Sequence, residues 1–175
     1  MKKQFIAKVL VLAMVLAMVP VTVLAASAAG SNLGYGNYGY YSIGSDTTVV
    51  NTPIKGNKIG AHSVINDSVI AALADLAEDG QIVLNVEDKD GNATFTCSAR
   101  ALAKLAADTG ADLVFKTSFA TITIPNDLLA DLGNAGTVRI SISKTNDGAS
   151  VYIEVAGDPV DTSSVKVVPV EADAE

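Results

Sequence analysis

Thr94-Phe95-Thr96-Cys97, Ser98 to Ala107, Gly110, Leu113-Val114-Phe115-Lys116-Thr117 and Thr121-Ile122-Thr123 follow one another along 30 residues of chain. They read as strand, helix, strand and returning strand. Leu102 and Leu105 sit three apart with small residues around them, which makes one apolar stripe on a helix. Ser98 is placed to cap its start, and Gly110 to end it in a left-handed turn. Apolar residues then recur at every second position, the period of a half-buried strand.

Weaker copies of this phrase flank it. The earlier one has Leu73, Leu76, Ala77 and Gly80, then Ile82, Leu84 and Val86. The later one has Leu129, Leu132, Gly133 and Gly136, then Val138, Ile140 and Ile142. The copies recur about every 27 to 29 residues, a length that fits one helix plus one hairpin. The expected fold is therefore α+β, with three helix-plus-β-hairpin units whose helices pack on a mainly antiparallel sheet. The first hairpin pairs Gln81 to Glu87 with Ala93 to Cys97 across Asp88 to Asn92. The second pairs Leu113 to Thr117 with Ala120 to Ile124. The third joins Thr137 to Lys144 and Ser150 to Ala156 across Asn146-Asp147-Gly148. Pro125 sits at the first turn of the third helix, where its missing N–H costs nothing. Val165 to Val170 reads as an edge strand.

Working outward, residues 1–28 have the order of a secretory signal peptide. Lys2 and Lys3 precede an apolar run from Val9 to Leu24, and Ala26-Ser27-Ala28 supplies small residues for cleavage. Residues 29–63 read as a flexible linker, with Gly34-Tyr35-Gly36-Asn37-Tyr38-Gly39-Tyr40-Tyr41 at its centre. The repeat domain is expected over 64–157 and an acidic C-terminal tail over 158–175. After the leader, no segment is apolar for the ~20 residues a bilayer requires.

Composition narrows the function. The formal net charge is −7, and loss of Lys2, Lys3 and Lys8 with the leader makes it more acidic. Such a surface repels phosphate backbones, so nucleic acid is not an expected partner. One cysteine, Cys97, cannot form an internal disulfide. It takes the slot that Ile124 takes in the next copy, which is an inward strand position. One histidine, His62, lies in the linker without a cluster of further ligands, whereas a zinc site needs three or four. Asp88, Asp90 and Asn92 match the start of an EF-hand loop, but Ala93 and Ala99 stand where glycine and glutamate are required. No catalytic, cofactor-binding or metal-binding residues are assigned. Thr94 with Thr96, and Thr121 with Thr123, are candidates for flat hydroxyl-bearing faces.

The phrase Thr121-Ile122-Thr123-Ile124-Pro125-Asn126-Asp127-Leu128-Leu129-Ala130-Asp131-Leu132, followed by a glycine and an alternating strand, resembles a repeat module of large exported bacterial proteins that carry S-layer homology domains. The likeness covers Val64 to Ala156. It departs at Cys97-Ser98, which replaces the Ile-Pro of the third copy. The chain also lacks an S-layer homology repeat, any Trp and a sortase-type Leu-Pro-x-Thr-Gly. The resemblance implies a secreted, non-enzymatic surface or scaffold module, with cell-wall polymer or other surface proteins as partners. The alternatives are a wall-glycan-binding module and a carboxylate-based glycan hydrolase, whose carboxylate pair would be set by space rather than by sequence.

Overall fold

The computed structural model describes residues 47–54 and 56–170. The expected leader and the Tyr/Gly-rich stretch lie outside them. The described chain is mostly strand, 48% against 22% helix. Its strands are β1 Thr48–Val50, β2 Lys58–Gly60, β3 His62–Ile65, β4 Ala77–Glu78, β5 Gln81–Glu87, β6 Asn92–Ser98, β7 Asp112–Lys116, β8 Ala120–Ile124, β9 Thr137–Thr145, β10 Gly148–Val155, β11 Asp158–Pro159 and β12 Lys166–Pro169. Its helices are α1 Asp67–Ala72, which continues as a 3₁₀ turn over Leu73–Leu76, then α2 Ala99–Thr109 and α3 Asn126–Asp131.

The strands form two mixed sheets rather than one antiparallel sheet, and this corrects the expected α+β arrangement of three helix-plus-hairpin units. Sheet A has the order β1-β3-β6-β9-β10-β11, and sheet B the order β12-β8-β7-β5-β2, with β4 beside β5. In sheet A, β1, β3 and β6 run parallel, and β9 and β10 then alternate. Sheet B repeats the scheme: β2, β5 and β7 run parallel, and β8 and β12 alternate. Each helix joins strands in matching places of the two sheets: α1 links β3 to β5, α2 links β6 to β7, and α3 links β8 to β9. The repeat is thus one circuit, up one sheet, through a helix, and along the other.

The first expected hairpin is absent for this reason. β5 lies in sheet B and β6 in sheet A. Ile82, Leu84 and Val86 face the core from one side, and Ala93, Phe95 and Cys97 from the other. The Phe95 and Phe115 rings stack across the interior at 4.5 Å between centroids. Period-two alternation marks which residues point inward, but not from which sheet. Asp88 leaves its own turn to accept from the backbone N–H and Oγ of Ser118, at 2.8 and 2.6 Å. Lys144 N–H donates to the Gly91 carbonyl at 2.7 Å, which ties this crossing to β9. The second and third hairpins do form, as β7–β8 and β9–β10. β12 lies at the edge of sheet B.

The sheets also take in residues read as linker and tail. β1, β2 and β3 begin at Thr48, and β11 and β12 extend past residue 157. β1 to β3 were masked in the sequence by Asn51, Pro53 and Gly56 between very short strands, where no period can be counted.

All three helices gather at one end of the sandwich, side by side in chain order. Asn66 Oδ1 accepts the Ser68 N–H of α1, and Ser98 Oγ the Ala101 N–H of α2. Gly110, at φ 64°, closes α2. Pro125 precedes α3 as its cap residue and has no side-chain oxygen to offer; Asp112 on β7 accepts the Asn126 N–H instead, at 2.9 Å. The Asn126 amide in turn donates to the Ala106 carbonyl at 2.8 Å and joins α2 to α3. The apolar faces of the helices, Val69, Ile70, Leu73, Leu102, Leu105 and Leu129, close that end of a core shared by both sheets.

Candidate functional site

Among the described residues, the helices sit at one end and leave the outer faces of the two sheets to side chains. On sheet A, cross-strand partners build the rows His62–Thr94–Ser141–Tyr152 and Val64–Thr96–Arg139–Glu154. Most of these residues are half-buried, and Tyr152 is 48% exposed. Arg139 and Glu154 pair at 3.5 Å. His62 therefore belongs to a strand, not to a loop.

On sheet B the rows are Lys58–Asn85–Lys116–Thr121–Val168 and Val83–Val114–Thr123–Lys166. Val114 is only 2% exposed although it points away from the core, and its cross-strand partners are Val83 and Thr123. Asn85 is held by its side-chain N–H, which donates to Asn57 Oδ1 at 2.8 Å. The three lysines are exposed. The two Thr pairs marked in the sequence thus fall on opposite faces of the molecule.

The lysine row was not found from sequence. Lys58, Lys116 and Lys166 lie on β2, β7 and β12, far apart along the chain, and come to one face, each two strands from the next, only through the strand order. Lys116 alternates with inward residues in the sequence, whereas Lys58 falls in the stretch that reads as linker.

Open depressions lie at the β2 side. One, of about 580 Å³, sits on the edge of β5 between β2 and β4, with Asn57, Val83 and the carboxylates of Asp75, Glu78 and Asp79 around it. Another, of about 300 Å³, is formed by Thr52, Pro53, Ile54 and Ile59. Among the described residues, no three His, Cys, Asp or Glu side chains converge as metal ligands.

Cys97 is 1% exposed in the core, opposite Val138 on β9. Burial, with a smaller contribution from the Asp67 charge, pushes its thiol from 9.0 up to about 12. The native state therefore keeps a proton that the unfolded state releases above pH 9. Stability should be unaffected below pH 9 and should fall by about 1.4 kcal/mol per pH unit as pH rises toward 12. Denaturant melts of wild type and Cys97→Val at pH 8 and pH 10.5 check this: the variant should lack that part of the slope. Equal slopes in both proteins would place the thiol in contact with water.

His62 and Cys97 are on neighbouring strands, but on opposite sides of sheet A, so they form no nucleophile–base pair. Comparisons of the chain with protein-family models, with curated proteins and with solved structures returned no match in any of the three.

Proposed function

We propose that the protein is an exported, non-catalytic surface module that acts through contacts between its sheet faces and cell-wall polymer or other surface proteins. The observation that carries this reading is the pair of outer sheet faces, each spanning at least five strands and, among the described residues, without a helix laid across it. Their Thr, Ser, Asn, Lys and Tyr side chains offer hydrogen bonds and short apolar patches over an extended area. An extended sheet face suits a polymer or a neighbouring protein better than it suits a small reactive substrate, which needs a concave site. The basic start and apolar run of residues 1–28 support export, and the likeness of Thr121 to Leu132 to modules of exported surface proteins agrees.

The test is incubation of the mature protein with purified cell walls and with soluble peptidoglycan fragments. The protein should sediment with the walls and release no reducing sugar. Glycan hydrolysis would overturn the non-catalytic reading, and a protein left wholly in the supernatant would overturn the surface-contact reading.

A further inference from the structure

We infer that the outer face of sheet B binds an acidic polysaccharide laid across its strands, with Lys58, Lys116 and Lys166 as the anion contacts. The inference rests on the surface-contact reading above and names the face and the chemistry of its partner.

The first argument is charge placement. Lys58, Lys116 and Lys166 project from this face, and its carboxylates, Glu78, Glu87 and Asp112, lie toward the strand ends. Lys58 lies 3.8 Å from Glu87. Among the described residues, neither Lys116 nor Lys166 has a carboxylate within ion-pair distance. Two cations held without counter-charge on an acidic protein form a local site for an anion brought from outside.

The second argument is spacing. Lys58, Asn85 and Lys116 occupy one row on three neighbouring strands. Two strand steps put the two ammonium-bearing positions about 10 Å apart. That spacing lets carboxylates on alternate sugars of a polyuronate reach both cations. Between the cations lie the Asn85 amide and the Thr121 and Thr123 hydroxyls, which match sugar hydroxyls. Val83 and Val168 give the apolar surface on which a ring face can rest.

Direction follows from the borders. Glu87 and Asp88 lie at one end of β5, and Asp112 and Glu78 at the helix end. An anionic chain that ran along a strand would meet carboxylates at both ends. One that runs across the strands follows the Lys58–Asn85–Lys116 row and passes beside Lys166. Among the described residues this face carries no exposed aromatic ring on which nucleic-acid bases could stack.

The probe is polygalacturonate, with uncharged dextran and oligo-dT as comparisons, measured by affinity electrophoresis on the mature protein at low salt. The variant is Lys116→Gln/Lys166→Gln, in which two exposed side chains keep their shape and lose charge. Lys104→Gln, on the outer side of α2, is the control. Wild type and control should bind polygalacturonate and not dextran, and added salt should release it. The double variant should bind roughly three- to thirtyfold more weakly. Unchanged binding by the double variant would overturn the assignment of this face, and oligo-dT bound as tightly as polygalacturonate would overturn the polysaccharide. In the wall assay, sedimentation equal in wild type and double variant would sink the inference and leave the surface reading intact. Absence of sedimentation in both would sink both.

Discussion

Phe95→Ala should lower unfolding stability by about 3–5 kcal/mol, the cost of emptying a buried aromatic site. Phe95 is 1% exposed at the centre of β6, and its ring lies nearly parallel to that of Phe115, at 15°. The two rings come from different sheets, so the truncation removes a contact that holds the layers together as well as filling volume. Phe115→Ala should cost a similar amount. In a double-mutant cycle the pair should show a coupling of about 0.5–1.5 kcal/mol, as stacked aromatics do. Urea unfolding followed by circular dichroism measures all four proteins. Additive effects, with no coupling, would mean that the rings fill space independently and do not join the sheets.

Leu102→Ala should cost about 2–5 kcal/mol. Leu102 is 1% exposed and α2 sits between α1 and α3, so its loss reaches all three circuits. The comparison is Lys104→Ala on the outer side of the same helix. Lys104 pairs with Asp108 at 2.6 Å, four residues on, and both side chains are largely exposed. Exposed pairs of this kind contribute about 0.3–0.5 kcal/mol. The urea midpoint should drop far in the first variant and barely move in the second, with the slope unchanged in both. Similar midpoints would put the wrong face of α2 against the core.

Three Asp-Gly dipeptides show how far the fold was legible and where local reading stopped. Asp79-Gly80 follows the leucines of α1 and reads as a helix end. It is in fact a tight two-residue hairpin, with φ 50° and 75°, between Glu78 and Gln81. Positive φ at both positions is what a type I′ turn requires. The signal was present but the two-residue β4 gave no strand pattern to support it. Asp90-Gly91 has the same chemistry and reads as a hairpin. Its chain instead crosses between sheets, because the Asp88 and Gly91 contacts lie outside the turn. Asn146-Asp147-Gly148 reads as a hairpin loop, and the hairpin forms with a shorter turn, Asn146-Asp147: Thr145 pairs with Gly148, which opens β10 at φ 118° beside Pro169 of β12.

Turn chemistry and period are properties of neighbouring residues, and they placed α2, the β7–β8 and β9–β10 hairpins, and the inward position of Cys97. Sheet membership depends on residues about a circuit away, and nothing in Asp88 to Asn92 encodes it. The sheet B lysines share that difficulty. Lys116 alternates correctly with Phe115 and Thr117, yet only the parallel β5–β7 pairing brings it beside Asn85 and Lys58.

The winding of the chain also governs how such a protein can change in length. A tandem duplication of one circuit, 31 residues by the Ile82–Leu113 register and 32 by the His62–Thr94 register, adds one strand to each sheet and one helix to the end layer. Every new strand then runs parallel to its neighbour, and the inward residues stay inward. Half a repeat would add a strand to one sheet only and leave its polar backbone edge without a partner. Growth or loss in this architecture therefore comes in whole circuits, and relatives of different size should differ by that unit within the β3 to β7 region.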